Sequence, residues 1–262
     1  MRIQDFAKRK SAGVPITMVT CYDAWSAALI AETDIDCVLV GDSVAMVVHG
    51  HDTTIPADLE MMTTHTAAVR RGAPDAFVIG DMPFLSYRRG LAASVDAAGA
   101  LMRSGANAVK LEGAAGNLEL IRHLVESGVP VMGHLGLTPQ SVHQLGGFRV
   151  QAKNDRAAER LIEQAVELEQ AGCFAIVLEA IPAAVAERAT ARMTIPTIGI
   201  GAGRHVDGQV LVLQDLLGVS TSYRPKFVRT WMDGSKMITT ALQSYHRDVT
   251  EGRFPNGGES YE

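Results

Sequence analysis

The sequence predicts a closed (β/α)8 barrel, an α/β fold in which eight parallel strands alternate with helices. Three observations carry the prediction. Eight short runs are almost continuously apolar, as strands buried on both faces are. The longer stretches between them repeat apolar residues at three- and four-residue spacing, as amphipathic helices do. The chain has 262 residues, 47% hydrophobic and 20% charged, enough to build one large core without disulfides or other staples. An open doubly wound sheet, with its usual complement of about five or six strands, leaves runs unused.

In chain order, IQDFAKRK (3–10) reads as a helix ahead of the first strand. The strand candidates are ITMVTCYD (16–23), CVLVGDS (37–43), AFVIGDM (76–82), AVKLEG (108–113), PVMGHLG (130–136), FAIVLEA (174–180), PTIGIGAG (196–203) and QVLVLQD (209–215). Helical patterns fill 24–33, 58–72, 91–105, 117–128, 156–172 and 183–193, with Met61 and Met62 as core-filling side chains on the second. Four of these patterns stop at Gly72, Gly105, Gly128 and Gly172, the residue type that takes the left-handed conformation past a helix end. The segment 227–249 supplies further C-terminal helical material. With no linker or internal repeat, 1–250 reads as a single catalytic domain and 251–262 as a flexible C-terminal tail.

Charge and cysteine usage exclude several function classes. The formal net charge is −5 and no Lys/Arg block stands out, so a nucleic-acid partner is not expected. No apolar run approaches the ~20 residues of a membrane span, and the first fifteen residues lack an apolar signal core. Cys21, Cys37 and Cys173 are far apart and form no CxxC pair, which suits a reducing, cytoplasmic setting.

The C-terminal ends of the strand candidates are rich in ionisable side chains. Asp23 ends the first, Asp42 and Ser43 the second, Asp81 the third, Lys110 and Glu112 the fourth, His134 the fifth and Glu179 the sixth. A single carboxylate after a strand is most simply a helix N-cap. Six such ends are another matter, because a barrel gathers them on the face where active sites are built. Lys110 and Glu112 are two apart and so share a strand face; with Glu112 at the mouth, Lys110 lies one layer beneath and needs an anionic partner. Asp42, Asp81 and Glu112 form an oxygen-only set that suits Mg²⁺ better than Zn²⁺, with Glu112 either a direct ligand or acting through water; the plain alternative is mutual repulsion relieved by Lys110. Glu179 follows the apolar run FAIVL, a setting that raises a carboxyl pKa and favours a general base, against the alternative of a helix cap. His49 and His51 read as loop histidines rather than a metal pair. GIGAG (199–203) reads as close chain packing, with a phosphate cradle as the weaker alternative.

Taken together, VTCYDAWSA, VLVGDS, TTIPADLEMMTTHTAAVRRGAP, GDMPFLSY, ANAVKLEG, GVPVMGHLGLTPQSVHQLGGFRVQ, AIVLEAIP, IPTIGIGAGRHVDGQVLVLQDLLG and PKFVR resemble the ketopantoate hydroxymethyltransferase family, in order and over nearly the whole chain. The resemblance implies a (β/α)8 barrel that uses Mg²⁺ and takes a one-carbon unit from 5,10-methylenetetrahydrofolate. The implied acceptor is 3-methyl-2-oxobutanoate (α-ketoisovalerate), and the product, 2-dehydropantoate, lies on the route to pantothenate and coenzyme A. It also implies a homodecamer of two stacked pentamers. Residue by residue, it implies Mg²⁺ ligands at Asp42 and Asp81 and a further metal-site carboxylate at Glu112. Ser43 and Lys110 are implied keto-acid contacts, His134 and Tyr22 further pocket residues, and Glu179 the catalytic base. The chain departs from the family pattern at the two histidines of HGHDTTIP, at Leu135 where isoleucine is usual, and along QAKNDRAAER. Two other readings use the same barrel. One is a Mg²⁺-dependent C–C lyase or mutase of the isocitrate lyase or phosphoenolpyruvate mutase type, which needs a reactive cysteine or a phosphonate pocket. The other is a non-catalytic barrel that binds a phosphorylated ligand at GIGAG.

Overall fold

The computed structural model describes residues 1–220 and 225–261; Glu262, the last residue of the expected tail, lies outside them. The eight apolar runs become eight parallel strands: β1 (Ile16–Thr20), β2 (Cys37–Val40), β3 (Phe77–Asp81), β4 (Ala108–Glu112), β5 (Val131–Gly136), β6 (Ala175–Glu179), β7 (Thr197–Ile200) and β8 (Gly208–Leu211). They pair in sequence order and close through β8 onto β1, with Ile16 opposite Gly208. The strands are shorter than the apolar runs. The polar ends of the first two runs leave the ladder and become loops, and the last run turns helical after Leu211.

The helices are α1 (Ile3–Ala12), α2 (Ala24–Ala31), α3 (Val44–Val47), α4 (Leu59–Gly72), α5 (Leu91–Arg103), α6 (Leu118–Glu126), α7 (Val142–Leu145), α8 (Asp155–Gln170), α9 (Ala183–Arg192), α10 (Leu213–Leu216) and α11 (Gly234–Thr250). Their starts follow from local chemistry: the side chains of Asp23, Asp58 and Asn154 accept the Ser26, Met61 and Ala157 amides, each satisfying an orphan donor of the first turn. Asp23 is therefore a helix cap. In α8, Leu161, Ile162, Ala165 and Leu168 are buried, the spacing that turns one helix face toward the sheet. On α4, Met62 is fully buried and Met61 half-buried.

Gly105, Gly128 and Gly172 are left-handed past their helix ends, as expected. Gly72 is not. It is the last residue of α4, and a Cβ there would sit 2.1 Å from the Ala24 carbonyl oxygen. Gly72 is explained by the close approach of α2 and α4 rather than by a cap.

The N-terminal end of the barrel is plugged. Phe6 of α1 is fully buried, with its ring centroid 5.2 Å from that of Phe77 and 4.9 Å from that of Phe174. It joins Ile16, Met18, Cys37, Leu39, Ile79, Met132, Val177 and Ile198 in one apolar cluster. Arg9 pairs with Asp36 and Lys10 with Asp207 at 2.8 Å, and those two carboxylates also take the amides of Thr17 and Thr197.

The chain divides into two compact units, Met1–Val212, which carries the barrel, and Leu213–Glu262, which carries α10 and α11.

Candidate active site

Strand register assembles the site. Asp81 stands opposite Lys110, Glu112 opposite His134, and Gly136 opposite Glu179. Neighbours in a parallel ladder share a face, so Asp81 and Lys110 form one layer, with Glu112 and His134 a pleat above. Asp42 lies two residues beyond β2, and its amide donates to Asp81 Oδ2 at 3.2 Å. Asp42, Asp81, Lys110, Glu112 and His134 are all buried, whereas the Glu179 side chain keeps 17% of its surface exposed.

Lys110 is the only cation among these side chains. Its ammonium meets Asp81 Oδ1 at 2.6 Å and His134 Nδ1 at 3.3 Å. Burial alone would pull its pKa down, but Asp81, Glu112 and Asp42 overcome that and raise it, so the ammonium is retained. An ammonium can only donate, and His134 Nδ1 must therefore be the acceptor. Burial and then Lys110 hold His134 well below its usual range. The imidazole is thus neutral, with its proton on Nε2, 3.1 Å from Glu179 Oε2 though out of line for a full hydrogen bond.

The carboxylates differ. Burial, then the neighbouring Asp81, pushes Asp42 up to about 7 against the pull of Lys110 and Gln140. Burial and Asp42 raise Glu112 well above the usual carboxylate range. Burial alone lifts Glu179 to about 7, with Lys110 opposing. Glu179 is aimed by backbone: Gly136, left-handed at φ 94°, leaves room for the Glu179 carbonyl, and Ala180 behind it is itself left-handed at φ 46°. The Leu137 amide donates to Glu179 O, and the Ala180 amide to Ile200 O.

Tyr22 and Ser43 meet at 2.8 Å through their hydroxyls. Burial, then the charges of Asp42 and Asp81, raises the Tyr22 phenol, which stays protonated. All the residues selected from the strand ends except Asp23 thus come together.

Sequence reasoning missed Gln140 and Tyr87. Gln140 follows β5 in a short 3-10 turn, Pro139–Ser141, and is buried. Both lie inside motifs quoted above, GHLGLTPQ and GDMPFLSY, but neither carries charge or sits at a strand end. The two loop histidines divide: His49 Nε2 lies 3.0 Å from Nε2 of His65 on α4, whose Nδ1 donates to Tyr22 O. In GIGAG, a Cβ on Gly203 would lie 2.5 Å from the Ala183 Cβ, and one on Gly199 2.9 Å from Val206, so close packing accounts for the glycines.

The donor set fits a hard divalent cation. Glu112 Oε1 is buried without a hydrogen-bond partner, and Asp42 and Asp81 are neighbours. Among the described residues no three His, Cys, Asp or Glu side chains form a ready cage. The arrangement suits a cation that takes one or two carboxylates and completes its shell with water or substrate oxygen, as Mg²⁺ does. The three cysteines are free and buried, and burial pushes their thiols up, Cys173 to about 12. A reactive thiolate is not favoured at any of them.

Comparison with known proteins identifies the family. A family model described as ketopantoate hydroxymethyltransferase matches residues 1–257. A protein of Bdellovibrio bacteriovorus named 3-methyl-2-oxobutanoate hydroxymethyltransferase is 56% identical over 99% of this chain and 98% of its own length. One of the same name from Coxiella burnetii is 52% identical over 98% and 97%. Among solved structures, phosphonopyruvate hydrolase in complex with oxalate and Mg²⁺ superimposes with a TM-score of 0.64 at 10% identity, over 99% of this chain and 93% of its own. 2,3-Dimethylmalate lyase does so with 0.61 at 13%, over 99% and 91%. At such identities the two structures share the barrel fold.

Proposed function

The chain belongs to the ketopantoate hydroxymethyltransferase family, and on that premise we propose that it transfers a hydroxymethyl group from 5,10-methylenetetrahydrofolate to 3-methyl-2-oxobutanoate. The keto acid, the folate and water give 2-dehydropantoate and tetrahydrofolate. The observation that carries the reading is the split among the buried carboxylates. Asp42 and Asp81 are joined to each other beside Lys110, whereas Glu179 stands apart, slightly exposed and held near neutrality. One pair suits a cation and the other group suits a base.

Asp42 and Asp81 would hold Mg²⁺, with Glu112 direct or through water. The ion would supply Lewis-acid stabilisation of the charge that develops on the keto oxygen. Lys110 has one N–H beyond those directed at Asp81 and His134, and with the Ser43 hydroxyl it would hold the substrate carboxylate. Ser43 is in turn positioned by Tyr22. Glu179 would take the proton from C3. The Nε2–H of His134 is near enough to steady the ionised Glu179 without protonating it. Water would release the one-carbon unit from the folate as formaldehyde, freeing tetrahydrofolate; the enolate carbon would add to the formaldehyde carbon, and the resulting alkoxide would take up a proton to become the hydroxyl.

We assign the chain to the cytoplasm, where its three free thiols would stay reduced, and to a homodecamer of two stacked pentamers. The exposed apolar stripe of Ile238, Leu242, Tyr245 and Val249 along α11 supports assembly. Light scattering after size exclusion should give ten chains.

The test of the activity is turnover. Purified, chelator-treated protein with both substrates should form 2-dehydropantoate only when Mg²⁺ is restored. Equal turnover without metal would remove the Lewis acid, and no product under either condition would remove the reaction.

A further inference from the structure

Gln140 makes four hydrogen bonds within the site, two of them to Asp42 and Glu112. Its side-chain Nε2 donates to Asp42 Oδ2 at 2.8 Å and to the Met82 carbonyl at 3.0 Å. Its Oε1 accepts from the Tyr87 hydroxyl at 2.7 Å. Its backbone amide donates to Glu112 Oε2 at 3.1 Å. The amide can face only one way: a carbonyl and a carboxylate oxygen both accept, so the NH₂ group must be turned toward them. That leaves Oε1 for Tyr87, whose hydroxyl must then be the donor.

The consequence lies in the oxygens left over. Gln140 occupies one oxygen of Asp42 and one of Glu112, and the second Glu112 oxygen is buried without a hydrogen bond, 3.6 Å from His134 Nδ1. We propose that Gln140 is the positioning residue of the cation site: its amide, set by the Tyr87 hydroxyl, fixes the Asp42 carboxylate so that Oδ1 is presented to a divalent cation, while its backbone holds Glu112 alongside. Removing the amide would free Asp42 to turn toward the Lys110 ammonium. The inference rests on the cation reading above, and its ligand is the metal itself.

Mn²⁺ is the probe, followed by loss of the free-ion paramagnetic signal with neither substrate present. Wild type should bind. Gln140→Met keeps the volume, removes both hydrogen-bonding ends, and should weaken binding about 10–100-fold, the usual effect of losing a partner of a metal ligand. Tyr87→Phe should weaken it less, and in the Gln140→Met background should change nothing further, because its action passes through the amide. In turnover, Tyr87→Phe should raise the Mg²⁺ needed for half-maximal rate but leave the rate at saturating Mg²⁺ near wild type. A merely structural loss would not be rescued by metal in this way. Folded Gln140→Met that binds Mn²⁺ at wild-type affinity overturns the proposal, as does a Tyr87→Phe effect that persists in full without the amide. Should Gln140→Met fail to fold, Tyr87→Phe alone decides: unchanged affinity and unchanged Mg²⁺ dependence overturn it. Wild type that ignores millimolar Mn²⁺ removes the cation reading itself, a result distinct from any of these.

Discussion

Lys110 has three protons to give, and the structure accounts for two, at Asp81 and His134. Its removal leaves buried Asp81 without its counter-charge, and losing one partner of a buried pair costs roughly 3–5 kcal/mol. Lys110→Ala should therefore lower the urea midpoint of unfolding by that equivalent, and saturating Mg²⁺ should recover part of it. A loss within experimental error would make the pair dispensable to the fold. Glu179 gives a sharper test. Only its ionised form can accept a proton, and burial holds it near 7. Deuterium exchange at C3 of the keto acid, followed by NMR with Mg²⁺ and no folate, should rise with pH to about 7 and then level. Glu179→Gln should slow it about 10²–10⁴-fold and flatten the profile. Exchange at the wild-type rate would move the base elsewhere. The charged members of the site were legible because each stands at the end of an apolar run. Gln140 and Tyr87 were not, because a neutral side chain in a loop gives no signal until the fold brings its partners to it.

At the scale of elements, what aims Glu179 is the close approach of two paired strand ends. A Cβ on Gly136 would lie 2.2 Å from the Glu179 carbonyl oxygen, at a left-handed position. Gly136→Ala has to push β5 and β6 apart, and overpacking of this kind costs about 1–3 kcal/mol. Misplacement of the base by about 1 Å can cost on the order of 10² in rate. The variant should thus lose stability in urea and lose far more kcat than keto-acid affinity; unchanged kcat would show that the β5–β6 contact does not set the proposed base. The strands and long helices were legible from period alone, since burial on two faces leaves few polar residues in a strand. The short pieces α3, α7 and the turn holding Gln140 were not, being too brief for a period to show. Gly72 was misread for a related reason. A cap glycine and a contact glycine look alike in sequence, and only the neighbouring helix tells them apart.

Across the molecule, the barrel's plugged end and its ionisable end are opposites, and the second is out of electrical balance: Asp42, Asp81, Glu112 and Glu179 face one ammonium. Asp42, Glu112 and Glu179 are all raised by burial, so the folded state holds their protons more tightly than the unfolded chain does. Stability from these groups is then greatest at low pH and falls as pH rises from their unfolded values near 4 toward 7. Metal-free protein should melt at a lower temperature at pH 7.5 than at pH 5.5, by roughly a few degrees, and Asp42→Asn should reduce the difference. A melting temperature that climbs over this range would contradict the raised values.

On the proposed cation reading, the same imbalance would make the barrel mouth an ion exchanger. A cation entering below about pH 7 must evict a proton from Asp42 or its neighbours. The heat of metal binding will then depend on the buffer that receives the proton, more strongly at pH 6 than at pH 8. On the proposed reading, acidity and metal would compete for one set of oxygens, and the anionic substrate would meet a mouth whose surplus charge had already been cancelled.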